Sequence, residues 1–237
     1  PVYGVYSTFV QRTYDQLQQD LCINNNPITI LTFAASVWGM NDVTHLGIYD
    51  IPMMSNIPNL VYLAPTTYEE YIAMLDWSTE QREHPVAIRV PGAVIHGEKP
   101  TKDYGILNKY ETVQKGSGAA IIALGTFFGM GKQAAELIEK KTGVKPTLIN
   151  PVYITGIDEE LLESLKKDHK AVITLEDGIL DGGFGEKIAR FYGDSDMRTV
   201  NFGLKKEFLD RYDANEVLRQ NGITPEQIAD RAAELIK

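Results

Sequence analysis

The residues best suited to move protons near neutral pH are four histidines, His45, His84, His96 and His169. No spacing among them sets two on one helical face, as a paired metal site would require. His45 stands apart, because it lies in the polar stretch Gly39-Met40-Asn41-Asp42-Val43-Thr44-His45-Leu46-Gly47, which leaves the apolar run Ile28 to Phe33. In open parallel sheets ligands bind beyond the carboxyl ends of the strands, so position alone makes His45 a candidate for proton transfer. A surface or structural histidine is the equal alternative at this point. Cys22 is the only cysteine and sits within Leu21-Cys22-Ile23, which reads as inert packing. A lone thiol permits neither an intrachain disulfide nor a thiolate metal cluster, and it fits a reducing compartment.

Two glycine motifs invite a ligand. Gly129-Met130-Gly131-Lys132-Gln133-Ala134 has the G-x-G-x-x-A form of a dinucleotide fold, but the following strand ends in Ile149-Asn150-Pro151, with no acid to hold ribose hydroxyls. It also misses the phosphate-loop pattern, with Gln133 in place of the magnesium-binding hydroxyl and Thr126 in place of the first glycine. A tight strand-to-helix turn is the favoured reading. Gly182-Gly183-Phe184-Gly185 could bind an anion at a helix start. The preceding Glu176-Asp177 argues against phosphate there and favours close backbone packing at a turn or a subunit contact.

These residues are carried on strand-length apolar runs that alternate with segments of helical period, the pattern of a mostly parallel sheet covered on both faces. The pattern occurs twice. In the first half, strands are expected at Val2 to Tyr6, Ile28 to Phe33, Leu60 to Leu63 and Val86 to Val90. Helices are expected at Phe9 to Leu21, started by a Thr8/Gln11 capping box, at Ile48 to Met54, and at Tyr68 to Glu80, capped by Pro65-Thr66-Thr67 and led by Glu69 and Glu70. From Pro91 to Glu111 periodicity is lost, which places a linker and surface loop there. The second half restarts with strands at Ala119 to Leu124, Thr147 to Ile149, Ala171 to Leu175 and Arg198 to Val200. Its helices are expected near Lys132 to Lys141, Asp158 to Lys167, Phe184 to Tyr192, Ala214 to Gln220 and Pro225 to Ile236, with Gly143 and Gly222 as helix ends.

The 237 residues suit two domains of roughly 100 to 130 residues each. With 43% hydrophobic and 23% charged residues the chain has the balance of a globular protein. A formal net charge of -9 speaks against nucleic acid or an anionic membrane as a partner, since both call for clustered cations. There is no long apolar run and no basic segment ahead of an apolar core, so neither a membrane span nor a signal peptide is expected, and an acidic cytoplasmic enzyme fits best.

Several stretches together resemble one family. These are Tyr6-Ser7-Thr8-Phe9-Val10-Gln11-Arg12-Thr13-Tyr14-Asp15-Gln16, Thr44-His45-Leu46-Gly47, Ile57-Pro58-Asn59, Ala64-Pro65, Arg89-Val90-Pro91, Ile121 to Thr126, and Glu176-Asp177-Gly178 with the Gly182 to Gly185 turn. In order and spacing they are similar to the 1-deoxy-D-xylulose-5-phosphate synthases of the transketolase superfamily. The first run is highly specific, whereas the glycine motifs are shared with transketolases and pyruvate dehydrogenase beta subunits. The resemblance implies two α/β/α domains: 1–92, the later part of a pyrimidine-binding domain; 93–112, a linker; and 113–237, a transketolase C-terminal domain.

What the resemblance implies chemically is dependence on thiamine diphosphate and Mg2+, with Phe9 stacking on the aminopyrimidine ring, Arg12 beside it, and His45 handling protons at the reaction centre. The implied reaction decarboxylates pyruvate and transfers the two-carbon unit to an aldehyde such as glyceraldehyde 3-phosphate, in a homodimer. Two departures bear on the acceptor: Ala34 and Gly92 stand where the family carries phosphate-gripping arginines, and Asn41 replaces an aspartate. The family's activating glutamate and its Gly-Asp-Gly diphosphate motif have no counterpart in this sequence. The expectation is therefore a fragment that neither binds the cofactor tightly nor turns over without a missing N-terminal portion. A split-gene subunit, transketolase or 2-oxo acid dehydrogenase beta-like, that completes its site with a partner chain is the second reading. A non-catalytic binding module is the third.

Overall fold

The computed structural model describes residues 1–90, 92 and 94–236. Pro91, at the end of the Arg89-Val90-Pro91 motif, lies outside the described residues. Two sheets are formed. The first holds β1 (Val2–Tyr6), β2 (Thr29–Phe33), β3 (Val61–Leu63) and β4 (Val86–Arg89), all parallel, in the order β1-β2-β4-β3. The second holds β5 (Glu111–Gln114), β6 (Gly118–Ala123), β7 (Thr147–Asn150), β8 (His169–Ile179) and β9 (Arg198–Leu204), in the order β5-β7-β6-β8-β9. β2, β4, β6, β7 and the Ala171–Leu175 stretch of β8 are mostly apolar because helices and neighbouring segments bury both of their faces, while Arg89 at the end of β4 and Glu176 and Asp177 near the end of β8 are buried polar residues.

β5 falls partly inside the stretch expected to be linker. It pairs antiparallel with β7 at the sheet edge, and its residues Glu111-Thr112-Val113-Gln114 alternate between exposed and half-buried positions. An edge strand of this kind carries no continuous apolar run, so the apolar-run criterion passes over it.

The helices are α1 (Tyr14–Gln16), α2 (Asp50–Met54), α3 (Tyr68–Glu80), α4 (Phe128–Thr142), α5 (Glu159–Leu165), α6 (Phe184–Phe191), α7 (Ala214–Gln220) and α8 (Pro225–Ile236). The expected helix Phe9 to Leu21 is a mixed element: a 3-10 helix over Ser7–Thr13, the single turn α1, and a π-helical turn over Leu17–Cys22. No Thr8/Gln11 capping box forms there. Instead Thr13 Oγ1 donates to the Val10 carbonyl at 2.9 Å, a local bond that competes with the α-helical ladder. Burial pushes the Cys22 thiol up to about 11, in keeping with inert packing.

At α3 the cap forms as expected. Thr67 accepts from the Glu70 amide at 3.1 Å, and the buried Glu70 carboxylate accepts from the Thr66 amide and hydroxyl at 2.7 and 2.8 Å. α4 starts earlier than expected, so the Gly129 to Ala134 motif is helical and the chain reverses at Gly125, where φ is +52°. Gly131 faces β6, and a Cβ there would sit 2.7 Å from the Ala123 Cβ. The motif therefore serves close helix-to-strand packing. Gly143, at φ +73°, ends α4 with its amide on the Glu139 carbonyl.

The two sheets share buried structure. β3 is an edge of the first sheet, and the segment after β7 covers it: Leu63 bridges Tyr153, the Ala64 amide donates to the Val152 carbonyl at 2.8 Å, and the Ile154 amide donates to Tyr62 at 2.7 Å. One apolar cluster joins Val10, Ile30, Ile51 and Tyr62 of the first half to Tyr110, Ile122 and Phe184 of the second. The opposite edge, β1, has no strand beyond it among the described residues, and Val2, Tyr3 and Tyr6 are exposed. No helix among the described residues is long and apolar enough to cross a membrane.

Candidate functional site

The loop 34–49 leaves the carboxyl end of β2 and carries His45. It opens with two non-glycine residues in left-handed backbone, Ala34 at φ +51° and Ser36 at φ +86°. Such conformations cost of order 1–3 kcal/mol and persist only where surroundings impose them. Here the Ser36 amide donates to the Gly47 carbonyl at 2.7 Å, which closes the loop at its base. Any side chain at Gly47 would collide with the Ala34 carbonyl and approach Ser7 Oγ, so the closure depends on glycine.

At the tip, Asp42 caps a 3-10 turn over Val43–His45 by accepting from the Thr44 amide at 2.8 Å. The Thr44 hydroxyl donates to Asp42 Oδ1 at 2.5 Å and lies 2.9 Å from His45 Nδ1. A hydroxyl has a single proton. With that proton on Asp42, the hydroxyl accepts from His45 Nδ1–H, which assigns the imidazole its tautomer and leaves Nε2 as the basic nitrogen. The Thr44 hydrogen bonds hold the Asp42 carboxyl below its ordinary range. Asp42 and Thr44 were not picked out by sequence, although an Asp two residues before a Thr in a loop is a recognisable side-chain-capped turn.

The three residues singled out in sequence converge. The Phe9 ring meets the His45 imidazole edge-on at 5.0 Å between centroids, and the Arg12 guanidinium carbon lies 5.2 Å from the Phe9 ring centre. Tyr6 completes the group, 6.2 Å from Phe9 and 6.1 Å from His45. Phe9 and His45 are both half-buried, so an aromatic face and a ring nitrogen are open to a ligand at one place. Beside them the Ser7 hydroxyl is buried without a hydrogen-bond partner among the described residues. Ala34 and Gly92 border the same loop: Ala34 is its first residue, and a Cβ at Gly92 would lie 3.7 Å from the Trp38 carbonyl.

Beneath the loop is a buried ionic network that the sequence did not reveal as a unit. Arg89, at the end of β4, donates through Nε to Asp50 Oδ2 at 2.7 Å, pairs with Asp177 of β8, and donates to the Gly47 carbonyl at 3.3 Å. Tyr62 donates to Asp50, and Thr126 donates to Asp177 at 2.7 Å. Burial alone would lower the Arg89 pKa, but Asp177 and Asp50 outweigh it and hold the guanidinium charged. Burial, then Asp50, pushes the Tyr62 phenol well up.

The glycine turn at Gly182 to Gly185 is filled from within. Glu176 accepts from the Phe184 and Gly185 amides at 2.7 and 2.8 Å, so the start of α6 already holds a carboxyl group of this chain. Burial pushes Glu176 up to about 8, against the pull of those two amides. His169 is buried between Thr147 and the Leu165 carbonyl, while His84 and His96 lie beside Glu83 and Glu69. Among the described residues no cluster of His, Cys, Asp and Glu could hold a metal ion.

The family described as "Transketolase, pyrimidine binding domain" matches residues 1–94, and "Transketolase, C-terminal domain" matches residues 108–228. The chain belongs to the transketolase family. Among curated members, a 1-deoxy-D-xylulose-5-phosphate synthase from Clostridium tetani is 34% identical over 239 residues, taking in 100% of this chain and 38% of that protein. The synthases from Clostridium perfringens (strain SM101) and Acaryochloris marina are 35% and 31% identical, again over 100% of this chain and 38% of theirs. This transketolase-family chain thus spans well under half the length of these relatives. Its fold matches a split-gene transketolase described as an inactive beta4 tetramer, with TM-score 0.85 and 21% identity over 100% of this chain and 77% of that one. It also matches a Pichia stipitis transketolase in complex with sedoheptulose 7-phosphate, with TM-score 0.78 and 18% identity over 99% of this chain and 34% of that one.

Proposed function

We propose that this chain is the later part of a thiamine-diphosphate-dependent transferase of the 1-deoxy-D-xylulose-5-phosphate synthase kind. In this reading 1–92 belong to the pyrimidine-binding domain, 93–112 to the linker and 113–237 to the C-terminal domain. The observation that carries it is the meeting of Phe9, Arg12 and His45 at one half-open point. The aminopyrimidine end of the cofactor suits these residues: Phe9 offers an aromatic face, worth about 1 kcal/mol beyond its buried area, and Ser7 offers an unpartnered buried hydroxyl. Mg2+ finds no cluster of ligands among the described residues, and the glycine turn at Gly182 to Gly185 that could receive a diphosphate is already filled by Glu176. The sites for both belong to a portion supplied from elsewhere, either earlier in the same polypeptide or on a partner chain.

When bound, thiamine diphosphate supplies a nucleophilic carbon and an electron sink for decarboxylating a 2-oxo acid such as pyruvate. The part of this chain is to bind and to manage protons. His45, held by the Thr44 and Asp42 hydrogen bonds with Nε2 free, takes up or delivers a proton at the substrate oxygen. Arg12 contributes positive charge beside Phe9. With Ala34 and Gly92 in place of guanidinium groups, glyceraldehyde 3-phosphate is a poor acceptor and an aldehyde without a phosphate is preferred. Exposed apolar side chains on β1 (Val2, Tyr3, Tyr6) and on the His45 loop (Trp38, Met40, Val43) support a covering segment, and a homodimer is the proposed assembly.

The test has two parts. Calorimetric titration of the 237-residue chain with thiamine diphosphate and Mg2+ is expected to show negligible affinity, and micromolar binding would overturn the division of the cofactor site. The complete enzyme, given pyruvate, is expected to favour glyceraldehyde over glyceraldehyde 3-phosphate. Absence of pyruvate decarboxylation by that enzyme would sink the assignment and leave a binding module.

A further inference from the structure

We infer that the segment 205–213, which joins β9 to α7, clamps the His45 loop, and that Tyr212 and Asp210 are positioning residues for the imidazole. The inference rests on the proposed role of His45. The loop 34–49 is secured by its own residues chiefly at its base, through Ser36 and Gly47, and at its tip by Asp42. Between these points the Trp38 and Gly39 amides bond back to Ser36, while the Val37 and Asn41 carbonyls and the Val43 amide are satisfied from the other half of the chain. Tyr212 Oη donates to the Val37 carbonyl at 2.9 Å and lies 3.3 Å from that of Met40. The Arg211 amide donates to the Asn41 carbonyl at 2.6 Å, and the Val43 amide donates to Asp210 Oδ1 at 3.1 Å. Below the tip, Tyr49 Oη donates to the Glu207 carbonyl at 2.6 Å.

The clamp therefore grips both sides of the 3-10 turn that bears His45. Arg211 adopts φ +49°, left-handed backbone that a non-glycine residue keeps only under constraint, and it does so at the residue whose amide reaches Asn41. Asn41 also acquires a reason. Its Nδ2 donates to the Tyr212 carbonyl at 3.4 Å, whereas an aspartate there would set a carboxylate against a carbonyl oxygen. Arg89 secures the end of the loop from below through Gly47, and its ion pair with Asp177 also comes from the second half. Both attachments make the second half part of the machinery that holds the histidine.

A proton-transfer group displaced by about 1 Å loses on the order of 100-fold in rate. Tyr212→Phe keeps the ring and removes the hydroxyl; Asp210→Ala removes the acceptor; Asp210→Asn keeps an oxygen acceptor. In the chain alone, amide exchange at Val43 is expected to accelerate on the order of 10-fold in Asp210→Ala and to stay near the parent rate in Asp210→Asn. In the complete enzyme, Tyr212→Phe and Asp210→Ala are expected to lower kcat on the order of 10- to 100-fold with the KM for pyruvate unchanged, and Asp210→Asn to restore most of it. Parental exchange at Val43 in Asp210→Ala would overturn the clamp. Parental kcat in both variants, beside an inactive His45→Ala enzyme, would overturn the positioning role alone. A fully active His45→Ala enzyme would overturn the underlying reading as well.

Discussion

Arg89→Met is expected to have a large consequence away from the histidine. Arg89 is 5% exposed, and the carboxylates of Asp50 and Asp177 that it neutralises are 0% exposed. Methionine fills most of the volume but leaves two buried carboxylates without a countercharge. Removing one partner of a buried pair costs about 3–5 kcal/mol, and the lost bond to the Gly47 carbonyl adds about 1 kcal/mol, partly offset by the apolar replacement. A net loss of about 4 kcal/mol corresponds to a fall in Tm of roughly 8–16 °C for a chain of this size. Because Asp177 lies on β8 and Arg89 on β4, the loss falls on the junction of the two sheets, and the single transition is expected to split. Differential scanning calorimetry of parent and variant measures both effects. A double-mutant cycle with Asp177→Asn isolates the pair and should return a coupling of about 1–3 kcal/mol. A Tm change under about 2 °C, or additivity of the two substitutions within about 0.5 kcal/mol, would refute the view that this network ties the halves together.

Other outcomes follow from particular contacts. Gly129 has open space around its α-carbon within α4, so Gly129→Ala should stabilise the chain by about 0.5–1 kcal/mol in urea unfolding, while Gly131→Val, blocked by Ala123, should destabilise it by about 1–3 kcal/mol. Glu176 rises from an ordinary 4.5 to about 8 in the folded chain, so the folded state binds the extra proton between those values and this contribution to stability is lost as pH rises through that window. The stability of the parent minus that of Glu176→Gln should accordingly fall as pH is raised from about 5 to 8, and a flat difference would show that burial does not govern this carboxyl. Lys187, pushed down by burial to about 8 from 10.5, acts in the opposite sense above pH 8, where stability should recover as the unfolded chain alone remains protonated. In the complete enzyme, His45→Ala should lower kcat by about 10²–10⁴, and Phe9→Ala should weaken cofactor binding while leaving the fold intact by circular dichroism.

The sequence by itself determined the features whose cause is local. Apolar runs at strand length announced the central parallel strands, because a strand buried on both faces is apolar wherever its side chains lack a buried polar partner. Thr67, Glu70 and Gly143 fixed helix ends, because caps are made by residues within a turn of the helix they serve. The motif around Phe9 and Arg12 and the loop around His45 were legible as separate runs. Their meeting was not, since it depends on β1 lying beside β2 and delivering two stretches of chain to one sheet end. Tertiary structure also decided that Ser7–Thr13 winds as a 3-10 helix, that Glu111–Gln114 is an edge strand, and that Gly129 to Ala134 serves packing. It decided above all what holds the histidine loop: Arg89 with Asp177, and Asp210 and Tyr212 with residues 37–43. Those bonds join groups far apart in the chain, which no period, cap or turn signature records, and they form only once the two sheets have packed together.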